Sequence, residues 1–281
     1  MKLPRIFLFI AIGMASVGLA SAASYSTNFE NYNLTNLASQ NKGWVINDPT
    51  SGVAVGANTS GWNPAFGFGT RAASLGFVAP VQQSTVYVSH PASVPLVGNG
   101  YTTFSVMFNI VDSDTAWGDG AESRDVFGFR LADGSGNNMF SLFLTPTAQV
   151  ANPENVTAFH NYSWSTGNGP QIAALAPPDP NYPVRLSAKE GSYYTVTISF
   201  ITSGDDVNFT GNINGDVFGG TLPGLAGDSV EHIGAFMTPT IPLNPGSNQL
   251  IFDNISMVPE TSSALLGLLG ASLALVRRRR I

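Results

Sequence analysis

The chain has 281 residues, no cysteine, only 11% charged residues and a net charge of −6. The missing cysteines exclude disulfides, thiol nucleophiles and cysteine-held metals, and the acidic balance argues against nucleic-acid binding, which needs clustered positive charge. The ends carry Lys2, Arg5, Arg277, Arg278, Arg279 and Arg280, so residues 24–257 hold six basic against seventeen acidic side chains, a balance of −11. Divalent cations are natural counter-ions for such a surface.

Lys2 and Arg5 precede an apolar run over 6–20, followed by Ala20-Ser21-Ala22-Ala23. A positive start, a short apolar core and small residues predict a signal peptide over 1–23, cut after Ala22 or Ala23.

The body, 24–257, shows no sustained helical spacing of apolar residues. Short β-branched and aromatic runs predict strands over 85–88, 103–110, 126–131, 139–144, 193–201, 207–213, 232–237 and 249–255. Phe104, Val106, Phe108 and Ile110 alternate with polar Ser105 and Asn109; Tyr194, Val196, Ile198 and Phe200 alternate with Thr195, Thr197 and Ser199. One face of each strand therefore packs on a core. Asp133-Gly134, Ser203-Gly204-Asp205 and Asn214-Gly215 carry hairpin chemistry. Stretches 45–84 and 145–183 read as long loops, and His90, before Pro91, reads as a loop residue. The expected fold is all-β, a single antiparallel β-sandwich domain.

Phe29-Glu30 at the opening strand, Gln40-Asn41-Lys42-Gly43-Trp44 after it, the strand over 193–200 and the closing Ile251-Phe252-Asp253-Asn254-Ile255 resemble concanavalin-like jelly rolls, the lectin, laminin-G and glucanase fold. The resemblance implies that first and last strands pair. It also implies that Glu30 and Asp253, at those strands, share a structural calcium.

Catalytic signals are missing. His90, His160 and His232 have no metal-ligand spacing, and there is no Gly-x-Ser-x-Gly elbow. The Glu-x-Asp-x-x-Glu strand motif of concanavalin-like glucanases is absent. Glu122 and Asp125 are three apart, which does not put them on one strand face. The expectation is therefore a non-enzyme. Asp112, Asp114 and Asp119, in a Gly-containing acidic loop, are candidate calcium ligands. Trp62, Trp117 and Trp164, with Phe66, Phe68 and Tyr162, fall in expected loops and could stack on sugar rings, whereas Trp44 reads as core.

The C-terminus reads Val258-Pro259-Glu260-Thr261, then an apolar run of 13 residues over 264–276, then Arg277, Arg278, Arg279 and Arg280. A spanning helix needs about 20 residues; flanking arginines let this shorter one halt in the membrane with its charges on the cytoplasmic side. The tail, 258–281, resembles the PEP-CTERM sorting signal of Gram-negative bacteria, with Thr261 where the second Pro usually stands. The resemblance implies an exosortase-type sorting enzyme as partner, inner-membrane contact through a short hydrophobic helix before processing, and an association with exopolysaccharide. The combined expectation is an exported, envelope-anchored or secreted, non-catalytic protein of the extracellular matrix. A divergent polysaccharide hydrolase or lyase, and a purely structural surface protein, are the alternatives.

Overall fold

A computed structural model describes residues 23–47, 52–57, 70–76, 85–96, 100–112, 126–146, 160–165, 194–213, 215–238 and 248–261. The expected signal peptide, the apolar C-terminal run and its arginines lie outside them. The strands are β1 (Tyr25–Thr27), β2 (Val45–Ile46), β3 (Gly52–Ala57), β4 (Arg71–Gly76), β5 (Val86–Pro95), β6 (Gly100–Asp112) and β7 (Val126–Ala132). They continue with β8 (Asn138–Pro146), β9 (His160–Ser165), β10 (Tyr194–Ser203), β11 (Asp206–Ile213), β12 (Asp216–Leu222), β13 (Ser229–Thr238) and β14 (Asn248–Thr261). One short 3-10 turn, Ala38–Gln40, is the only helix among the described residues.

The strands form two antiparallel sheets. The eight-stranded one runs β12-β11-β10-β6-β14-β4-β3, with β1 also on β14; the six-stranded one runs β2-β5-β13-β7-β8-β9. First and last strands pair as expected, with Tyr25 opposite Met257 and Thr27 opposite Ile255. The alternation in the sequence sets which face is inside. Phe104, Val106, Phe108, Val196, Ile198 and Phe252 from one sheet meet Phe127, Phe129, Leu142 and Leu144 from the other, all buried. At the centre, the rings of Phe252 and Phe29 sit 5.7 Å apart, those of Phe252 and Phe129 6.2 Å, and those of Phe108 and Phe129 5.6 Å. Each such ring contributes roughly 1.5–3 kcal/mol by leaving water. Trp44 joins this cluster as expected, 4% exposed.

Several expectations are corrected. The stretches read as loops contain β2, β3, β4 and β9. Phe29 and Glu30 do not open the first strand but follow it in a turn, where Phe29 has φ 55°. His90 is not in a loop: it lies in β5, facing inward, its ring 4.8 Å from Tyr25 and 5.4 Å from Trp44. Its Nε2 faces the Lys42 carbonyl at 2.9 Å. Gly43 passes so close that a Cβ there would lie 2.6 Å from this nitrogen, and its φ of +88° also favours glycine. Pro91 is tolerated in β5 because it pairs with His232 at the register shift between Val230 and His232.

The boundary expected after residue 257 falls inside β14. Val258, Pro259, Glu260 and Thr261 continue the ladder with β6, opposite Thr103, Thr102, Tyr101 and Gly100. β1 leaves β14 at Met257. Beyond it β14 has a neighbour on one side only among the described residues, which is where a proline without an N–H fits a sheet.

Candidate functional site: the outward face of the eight-stranded sheet

The register places three polar rows side by side on the face turned away from the core. The first holds Thr221, Asn208, Ile201, Tyr101 and Glu260; the second holds Gly219, Thr210, Ser199, Thr103 and Val258. The third holds Val217, Asn212, Thr197, Ser105, Ser256 and Ser26. Neighbouring strands lie about 4.8 Å apart and same-face residues about 6.7 Å apart along a strand. Hydroxyls and amides thus repeat on a two-dimensional grid. The alternation that buries Phe104, Val106 and Ile198 is the same one that turns Thr103, Ser105, Thr197 and Ser199 outward.

Tyr101 and Glu260 are the only ionisable side chains in these rows. Hydrogen bonding to Glu260, then its negative charge, raises the Tyr101 pKa above the usual 10.0. Thr103 Oγ1 also donates weakly to Glu260 at 3.5 Å, and Thr221 Oγ1 donates to Asn208 Oδ1 at 2.8 Å. Tyr101, Ile201 and Val258, 38%, 51% and 38% exposed, gather apolar surface at one end. At the other side, the ladder of β14 on β6 slips between Asp253 and Ser256, and Asn254 takes φ 50°. That bulge opens a hollow of about 370 Å³ lined by Ser26, Thr27, Asn28, Asn254, Ile255 and Ser256. Such a volume is within the roughly 300–1,000 Å³ of small-ligand pockets.

The residues singled out from sequence fall in different places. Asp253 is fully buried at the bulge, its Oδ1 accepting the Asn254 N–H at 2.8 Å. Glu30 Oε2 accepts from Thr70 Oγ1 at 2.6 Å and Oε1 from the Arg71 N–H at 3.1 Å. Burial pushes the Glu30 pKa up, but the hydrogen bonds from Thr70 and Arg71 and the Arg71 charge outweigh it and hold the carboxyl below its usual value. Both Glu30 oxygens thus accept a hydrogen bond from the protein. Among the described residues no group of three or more His, Asp or Glu gathers as a metal site. Asp112 ends β6 by its backbone, while Asp114, Asp119, Trp62 and Trp117 lie outside the described residues.

Trp164 is not in a loop. It lies in β9 opposite Leu142 and points inward, its ring 4.8 Å from Phe209. Tyr162 does likewise against Phe218 at 5.1 Å. These two half-buried rings pack against the core at the edge of the sandwich. The polar grid itself was missed from sequence, although the alternating Thr and Ser of β6 and β10 carried its signal.

The class these features define is an antiparallel two-sheet β-sandwich with a broad polar face that carries a single carboxylate in its three rows. No known protein family matches the chain, and no curated protein does either. Among solved structures, the chain is similar to lectin UEA-II, solved in complex with galactose: 11% identity and a TM-score of 0.47 over 86% of this chain and 100% of that one. It is also similar to the CBM2 module of Lactobacillus casei BL23 phage J-1 evolved Dit, at 14% identity and a TM-score of 0.46 over 86% and 99%. A third is a galectin-like protein of unknown function from Bacillus subtilis, at 14% identity and a TM-score of 0.39 over 85% and 96%.

Proposed function

We propose that this chain is an exported, non-catalytic β-sandwich that associates with extracellular polysaccharide through the outward face of its eight-stranded sheet. The observation that carries this reading is the grid itself: rows of Ser, Thr and Asn with one carboxylate and an apolar end at Tyr101, Ile201 and Val258. A neutral glycan presents the complementary chemistry, hydroxyls on its edges and C–H groups on its ring faces. Hydroxyls and amides can donate and accept in many registers, and an exposed tyrosine ring stacks on apolar ring faces. Glycoside cleavage needs two carboxyl groups about 5–10 Å apart, and Glu260 stands alone in the three rows. The signal peptide over 1–23 and the PEP-CTERM-like tail supply the address: export, then sorting by an exosortase-type enzyme at the inner membrane, with the body in the cell envelope or secreted.

The test is retention on a panel of immobilised neutral polysaccharides. Ser199→Arg and Thr197→Arg put a cation in the middle of the grid on half-exposed positions and should weaken retention at least fivefold with the circular dichroism unchanged. Retention that ignores both substitutions would sink the reading. Release of reducing ends from the polysaccharide would instead favour a hydrolase or lyase.

A further inference from the structure

The outward face of the six-stranded sheet has its own built feature. One cross-strand row there is Tyr87, Phe236, Gly128 and Phe143; the next is Ser89, Gly234, Arg130 and Ser141; a third contains Pro91, His232 and Ala132. In the first row the ring of Phe236 is 6.1 Å from that of Tyr87 and 5.1 Å from that of Phe143, forming an aromatic wall. In the second row Gly234 leaves a gap between Ser89 and Arg130. A Cβ at Gly234 would fall 2.0 Å from the Val88 carbonyl oxygen, so the backbone itself keeps the gap open. The result is a hollow of about 180 Å³ lined by Tyr87, Ser89, Arg130, Gly136 and His232, with Gly234 and Ala235 among its remaining walls.

Arg130 is held in place at this hollow. Its guanidinium carbon lies 4.7 Å from the centroid of Tyr87, and one N–H donates to the Gly136 carbonyl. A guanidinium has five N–H donors in a planar fork. The nearby carboxylates are taken up elsewhere. Asp133 accepts the N–H groups of Ser135 at 2.9 Å and Asn137 at 2.7 Å, and the Asn137 amide at 2.9 Å. Those bonds, led by the Asn137 backbone N–H, hold its pKa below the usual 3.8 with a minor contribution from Arg130. Glu231 accepts the Ser93 hydroxyl at 3.3 Å. In a body with only six basic side chains against seventeen acids, a pre-positioned arginine at the mouth of a small hollow is a specific feature. Planar guanidinium matches a carboxylate in two parallel hydrogen bonds. Ser89 and His232 add hydroxyl and imidazole partners for ring hydroxyls.

We propose that this hollow binds the carboxylate of a single uronic acid residue, with Arg130, held over the Tyr87 ring, gripping the carboxylate. Its volume is below that of drug-sized pockets, roughly 300–1,000 Å³, which limits the occupant to about one sugar ring. This site lies on the opposite sheet from the polar grid and stands independently of it.

The test is a calorimetric titration of the full chain with glucuronate, with glucose and inorganic phosphate as parallel arms. Saturable glucuronate binding with none for glucose is expected, weakened at least tenfold in Arg130→Gln. Ser89→Phe, which fills the hollow and leaves Arg130 in place, should abolish it. Ser199→Arg, on the other sheet, should leave it unchanged, so that failure of this site and failure of the polar grid can be told apart. No saturable glucuronate binding, or equal binding by Arg130→Gln and Ser89→Phe, overturns the proposal. Phosphate binding as tightly as glucuronate also overturns it, as a general anion site. If Arg130→Gln fails to fold, Ser89→Phe decides alone.

Discussion

Glu260 stands opposite Tyr101 across the β14–β6 ladder, and it raises the tyrosine's pKa through a hydrogen bond and its charge. The Val-Pro-Glu triplet, which reads as the start of a sorting tail, is thereby part of the sheet that holds the protein together.

Truncation should reveal this. A chain ending at Met257 loses the ladder from Val258 to Thr261. At roughly 0.5–1.5 kcal/mol net per hydrogen bond, the loss should come to about 2–4 kcal/mol. A chain ending at Thr261 should match the full body. Urea denaturation of the two chains, each beginning at Ala23, measures the difference. Equal midpoints would mean that the end of β14 contributes nothing.

The same placement bears on processing. A protease needs an extended, accessible segment, and Pro259 is paired in the folded body. If the tail is cut as the proposed sorting requires, the mature C-terminus should therefore lie at or beyond Thr261 unless the cut precedes folding. Intact mass spectrometry of protein from the envelope, compared with protein refolded and then exposed to the sorting membrane, distinguishes the two orders.

Tyr101→Ala should reduce polysaccharide retention by roughly two- to tenfold, the equivalent of an aromatic contact worth about 0.5–1.5 kcal/mol. Stability should barely change, since Tyr101 is 38% exposed. Trp164→Ala should do the reverse. Its ring packs inward on Phe209, so about 2–3 kcal/mol of stability should be lost, less than the ~3–5 of a fully buried aromatic, with retention by the folded protein unaltered. Affinity electrophoresis alongside thermal melts reads both.

Phe252→Ala should be the more damaging change. This side chain is fully buried and packs against the rings of Phe29, in the turn after β1, and Phe129, in the opposite sheet. A cavity there should lower stability by about 3–5 kcal/mol, read as the shift in a urea midpoint.

Glu30 gives a pH dependence with a definite sign. Its folded-state pKa is lowered, so its contribution is fully present above the usual value of 4.5 and is lost as the pH falls through the lowered one. Wild type should melt above Glu30→Gln at neutral pH, and the gap should close in the acidic range below 4.5. A gap independent of pH would show that the Thr70 and Arg71 bonds do not depend on the charge.

The strands with strong alternation were legible in the sequence. Those of β6 and β10 read correctly because apolar and polar residues alternate over the seven positions from Tyr194 to Phe200, and from Phe104 to Ile110 with only Met107 out of step; the pairing of first and last strands, which the jelly-roll resemblance implied, also holds. β3 and β4 did not, because Gly52, Ala54, Gly56, Ala72 and Ala73 give too little contrast between faces. β9 was hidden because Tyr162 and Trp164 alternate with Ser163 and Ser165 in a short run between proline-rich stretches. β5 was cut short because Pro91 reads as a breaker, and only the bulge opposite it in β13 makes it tolerable. The sites were less legible still. The polar grid depends on which strands stand side by side, and the hollow at Arg130 depends on Gly234 lying between Ser89 and Arg130, neighbours that register alone creates.

The one-sided end of β14 has a consequence for life at high local concentration. A bare strand edge is a template onto which a second chain can add. Among the described residues that edge carries Pro259, without an N–H, and the Glu260 carboxylate, a poor template for strand addition, so molecules at high concentration should resist zipping into fibres at this point.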